Sequence, residues 1–152
     1  MSVSPAMRRL LRVRELEEER RRTALEGAMG ELHRLEQALA GAHRRGRTGR
    51  RLITVSAKAG EAADRVAGLA ESAAGERHGA YLRPQIAEAE ERVAELREEF
   101  LASRVERRQA ETLIAEAEAR ALVMAGRREQ QALDDRFGVQ RQRGEEDREH
   151  PS

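Results

Sequence analysis

Apolar side chains recur along this chain in a period of seven, most clearly in its second half. There Ile86, Val93, Phe100, Arg107, Ile114 and Ala121 form one row, and Ala89, Leu96, Ser103, Ala110, Ala117 and Met124 form a second that interleaves with it. Alternating steps of three and four place both rows on one stripe of a helix, the seam of a left-handed coiled coil. The positions between are mostly Glu, Arg, Gln and Ala, all good helix formers, so the pattern predicts a helix over about residues 84–137. A matching seam occurs earlier: Leu25, Leu32 and Leu39 repeat at seven, with Ala28, Leu35 and Ala42 between them. Upstream, Met7, Leu10, Leu11, Val13 and Leu16 form an apolar cluster, while residues 17–23 contain no large apolar side chain and predict solvated helix.

The middle of the chain is ambiguous. Residues 43–51 carry five arginines, two glycines and no acid, which suits a turn, yet the seven-residue row also continues through Gly46 to Ile53. A reversal at residues 54–60 is preferred, with Ser56 as N-cap of the returning helix and a seam running through Val55, Ala59, Ala62, Val66, Leu69 and Ala73. Residues 75–84 offer a second break, with Pro84 read as a kink. The expected fold is all-α, a long two-helix antiparallel coiled-coil hairpin forming a single unit over 1–152. Its first arm covers about 5–53, its second about 61–139, and its tail at 140–152 is frayed. An arm that outruns its partner keeps an exposed stripe for another protein.

Composition narrows the function classes. Charged residues make up 38% of the chain and aromatics 2%, so the layered core of an ordinary enzyme fold cannot be filled. The net charge of +1 lets opposite charges pair along helices instead of swelling the chain. Without cysteine there are no disulfides, thiolate metal sites or Cys nucleophiles. No apolar run approaches the ~20 residues of a membrane span, and arginines occupy the opening stretch where a signal peptide would be apolar. The one lysine, Lys58, precedes Ala59, so there is no P-loop. The four histidines lack metal-ligand spacing, and the carboxylates lie on solvated faces unsuited to acid–base work. The expectation is a cytoplasmic protein without catalytic residues, cofactor or metal.

Several stretches resemble a known family. The runs Glu106-Arg107-Arg108-Gln109-Ala110-Glu111-Thr112-Leu113 and Arg128-Glu129-Gln130-Gln131-Ala132-Leu133-Asp134-Asp135 are similar to the type III export stalk proteins, of the flagellar FliJ and injectisome YscO types. Leu11-Arg12-Val13-Arg14-Glu15-Leu16-Glu17-Glu18 resembles that family's opening segment, and Leu32-His33-Arg34-Leu35-Glu36-Gln37-Ala38-Leu39 its first-arm seam. The resemblance implies a monomeric hairpin inserted into the central hole of a hexameric export ATPase. It also implies coupling to the cytoplasmic domain of the export gate, escort of export chaperones, and attachment to the inner membrane only through these partners.

On that reading Leu10, Leu11, Val13 and Arg14 lie beside Leu133, Arg136 and Phe137 at the end that enters the ATPase, and Val66 and Leu69 belong to a free stripe of the second arm. Two other readings stay open: a coiled-coil spacer or homodimer without an export role, and an arginine-dependent nucleic-acid binder using Arg44, Arg45, Arg47, Arg50 and Arg51. The cluster lacks interleaved aromatics or amides for base contacts, which disfavours the last.

Overall fold

The computed structural model describes residues 3–150. It is 97% helical, with two long helices packed together and no strand among the described residues. Helix α1 spans Pro5–Ala59 and α2 spans Ala62–Glu149. Ser4 caps α1: its Oγ accepts from the Met7 backbone N–H at 3.2 Å, and Pro5 opens the helix where no N–H is needed.

The reversal is tighter than the sequence suggests. Thr54 to Ala59 are helical, and the chain turns through Gly60 and Glu61. Gly60 adopts φ +74°, while the Glu61 N–H donates to the Ser56 carbonyl at 3.1 Å, the six-to-one bond of a Schellman cap. Ser56 is therefore not an N-cap: it lies inside α1, 1% exposed, with its Oγ donating to the Ile53 carbonyl at 3.0 Å. Glu61 takes the cap position instead, its carbonyl accepting from the Arg65 N–H at 3.2 Å. Residues 75–84 hold no break, and Pro84 lies inside α2. The tail expected to fray is helical to Glu149, and positions 151–152 fall outside the described residues.

The chain forms two compact units. The unit Glu17–Arg104 contains the reversal and the greater part of the seam. On α2 the predicted rows are the buried ones: Val93 is 7% exposed and Leu96 5%, while Ile86, Ala89 and Phe100 are half-buried. On α1 Leu25, Ala28, Leu32, Leu35 and Leu39 are half-buried and Ala42 buried. As residue number rises along α1, the partner number on α2 falls: Arg21 pairs with Glu99 at 2.9 Å and Arg45 with Glu71 at 2.7 Å.

Toward the turn the seam continues in small residues. Gly46, Gly49 and Ser56 of α1 and Gly68, Gly75 and Gly79 of α2 are buried. A Cβ on Gly49 would lie 2.4 Å from the Ser72 nitrogen and 2.7 Å from the Gly68 carbonyl oxygen, and one on Gly75 would lie 2.7 Å from both the Ala42 oxygen and the Gly46 nitrogen. Backbone thus meets backbone. The row expected through Val55, Val66 and Leu69 is turned outward instead, at 57%, 67% and 53% exposed. The phase is set by the long rows on either side, which carry the glycines inward.

Residues 17–23 are not wholly solvated either. Glu18 is 6% exposed and forms an ion pair with Arg22, whose guanidinium also stands 5.7 Å from the centre of the Phe100 ring. Ser103, likewise buried, satisfies its hydroxyl on the Phe100 carbonyl at 2.7 Å. The boundary of the unit falls where Glu18 and Ser103 replace large apolar seam residues.

The other unit comprises the chain up to Leu16 and from Val105 onwards. Met7 and Leu11 are half-buried, as are Ile114, Ala117 and Ala121, and Ala110 is 4% exposed. Arg14 bonds Glu106 at 2.9 Å, and Arg107 bonds Glu111 at 2.6 Å from a seam position with 21% of its side chain exposed. From Leu122 to the last described residue every position is exposed, including Met124, which the sequence pattern had assigned to the seam.

Candidate interaction surfaces

The expected end group does not assemble. Leu10 and Val13 are 40% and 49% exposed, Leu11 is half-buried, and Arg14 is held at the level of Glu106 by its ion pair. Leu133, Arg136 and Phe137 lie far beyond that level: Leu133 follows Glu106 by 27 residues, about 40 Å along a helix at about 1.5 Å per residue. Helix α1 has 55 residues and α2 has 88. Leu133 and Phe137 are 47% and 60% exposed, and Arg136 lines a shallow groove with Asp135, Val139 and Gln140. Val66 and Leu69 stand exposed on the opening turns of α2.

A second groove runs along α2 between Val105, Arg108, Gln109, Thr112, Leu113 and Glu116, with a volume of about 490 Å³. Val105 and Leu113, 53% and 48% exposed, give it an apolar character.

The arginine run at 43–51 is helical, and its members point different ways. Arg45 makes a two-bond contact with Glu71, at 2.7 and 3.0 Å. The hydrogen bond from Arg45 holds the Glu71 carboxyl below its ordinary range, and the Arg45 guanidinium is raised by the same bond. Arg47 and Arg50 instead face a third groove of about 340 Å³, shared with His43, Glu76 and Arg83 over a floor of Ala42, Gly46 and Gly75. Sequence reading noticed the arginine run but did not join it to Arg83. The register could have done so, because Arg83 and Glu76 occupy one heptad position of α2 and His43 and Arg50 the same position of α1.

At the start of α2 two carboxylates meet. The Glu61 carboxyl is raised above its ordinary value, first by a hydrogen bond with Asp64 and then by its charge. These shifts arise from exposed partners rather than from burial, so what the surfaces offer is charge and apolar contact. Among the described residues no group of three His, Asp or Glu could hold a metal ion, and no helix is long and apolar enough to cross a membrane. Comparison with known protein families, curated proteins and solved structures finds no match.

Proposed function

We propose that this chain is a stalk component of a type III protein export apparatus, an antiparallel coiled-coil hairpin that engages the central hole of a hexameric export ATPase. It stimulates that enzyme and couples it to the export gate and to export chaperones, residing in the cytoplasm and reaching the inner membrane through its partners. The reading rests on the resemblance of the runs at 106–113 and 128–135 to the family. The cross-helix pairs Arg21–Glu99 and Arg45–Glu71 support opposed helix directions, and the buried seven-residue rows support coiled-coil packing.

The observation that carries it furthest is the exposed length of α2 beyond Ala121, a single helix narrow enough to enter a ring. Leu133, Arg136 and Phe137 then form the inserted group, while Leu10, Leu11, Val13 and Arg14 lie at a second level on the paired helices. The test is ATP hydrolysis by the cognate export ATPase, titrated with this protein. Stimulation saturating near one copy per hexamer, and weakened in Phe137→Ala, is the expected result. A well-folded chain that leaves hydrolysis unchanged refutes the stalk reading and returns the molecule to a coiled-coil spacer or homodimer.

A further inference from the structure

We propose that the groove between α1 and α2 at Arg47, Arg50 and Arg83 is a binding site for a small phosphate-bearing anion. Three arginines from two helices line a space of about 340 Å³, within the size range of small-ligand sites. Among the described residues, none of the three makes an ion pair. The contrast with Arg45, which is committed to Glu71, is local and sharp.

Glycine leaves room beside two of these side chains. The Arg50 Nη1 lies 3.5 Å from where a Cβ of Gly46 would be, and the Arg83 Nη2 lies 3.7 Å from that of Gly79. Both guanidinium groups therefore have an atom close to bare backbone, while their side chains stay open to solvent. The planar fork of arginine matches phosphate oxygens with two parallel bonds, and cations supplied by opposite helices can grip one anion from two sides.

Glu76, inside the same groove, argues for a compact ligand. Three cations against one carboxylate attract a phosphate group, whereas a continuous polyanion laid along the helices would have to pass the carboxylate. The site is independent of the export reading.

The experiment is calorimetric titration of the full chain with inorganic pyrophosphate. Saturable binding is expected, weakened roughly tenfold or more by Arg50→Gln and by Arg83→Gln, since each removes a charge-assisted hydrogen bond. Arg104→Gln, on an exposed arginine outside the groove, leaves it unchanged. Circular dichroism of the variants confirms that the helices remain.

A parallel titration with phosphatidylglycerol vesicles separates the sources of the phosphate: vesicle binding that Arg83→Gln abolishes, without pyrophosphate binding, assigns the same groove to a lipid headgroup. Absence of saturable binding to either probe overturns the proposal, as does equal weakening by Arg104→Gln. Binding to duplex DNA that Arg44→Gln and Arg51→Gln weaken as much as Arg83→Gln overturns it in favour of a diffuse nucleic-acid surface.

Discussion

Replacing Gly49 by alanine tests the close approach of the two helices directly. In an open helix the substitution stabilises, because alanine exceeds glycine in helix propensity by about 1 kcal/mol. At Gly30 an added Cβ meets no described atom within 4 Å, so Gly30→Ala should show that gain. At Gly49 the same Cβ would fall 2.4 Å from the Ser72 nitrogen, 2.7 Å from the Gly68 oxygen and 3.0 Å from the Ser72 Cα. Carbon atoms pack best near 3.5–4.0 Å, so the shortfall is about 1 Å. All three neighbours are backbone, so no rotamer change relieves the contact and the helices must separate. Overpacking of this kind costs about 1–3 kcal/mol or more, and separation also loosens the contacts of Ala42, Gly46 and Gly75. The propensity gain is common to both variants and cancels, so Gly49→Ala should be less stable than Gly30→Ala by about 1–3 kcal/mol. For a chain of this size that corresponds to a gap in Tm of roughly 2–12 °C, measured by thermal unfolding at 222 nm. If both variants gain stability alike, the backbone contact between Gly49 and Ser72 does not exist.

Acid should weaken the turn-proximal part of the pair through Glu71. Its carboxyl is lowered by Arg45, so its contribution is present above the ordinary carboxylate value of 4.5 and is lost as pH falls through the lowered one. The Tm difference between wild type and Glu71→Gln should accordingly be present at neutral pH and vanish in strong acid. Glu61 has the opposite sign, since its raised value favours the protonated form and costs stability as pH rises through it; carboxyl NMR titration should find its midpoint returning toward 4.5 in Asp64→Asn. Leu96→Ala, at a seam position 5% exposed, should lose about 2 kcal/mol or more, whereas Leu122→Ala, at 75% exposed, should stay within about 0.5 kcal/mol in denaturant unfolding. Amide exchange should be slowest around Leu82 to Ala110 and fast from Leu122 to Glu149, because an exposed helix lacks the packing that supplies most helical stability; uniform protection along α2 would contradict this.

Polar residues at the seam mark where the helix pair gains least from burial. Glu18 and Ser103 occupy positions that Leu and Val fill elsewhere, and each keeps a polar partner: Arg22 for Glu18, the Phe100 carbonyl for Ser103. Arg107 illustrates the same compromise in the other unit, its stem packed at a seam position and its guanidinium reaching out to Glu111. The fold tolerates these because every such group is satisfied locally, and no buried side-chain polar atom among the described residues lacks a partner.

The all-helical character and the inward rows of α2 from Ile86 to Ala121 were legible in the sequence, because a period of seven over several turns specifies one face regardless of what packs on it. The same holds for Leu25, Leu32 and Leu39 on α1. The tertiary structure alone decided what depends on pairing. Glycines carry no apolar signal, so nothing in the pattern ranked Gly49, Gly68 and Gly75 above Val66 and Leu69, yet only glycine lets two backbones meet. Glu18 is buried at 6% exposed, which no count of local apolar residues reveals. Most consequential is the reversal at Gly60: its position sets which residues of the two helices are opposed, Arg45 with Glu71 and Arg21 with Glu99. Periodicity specifies the phase of a helix, whereas the position of one αL glycine sets which stretches of two helices are opposed.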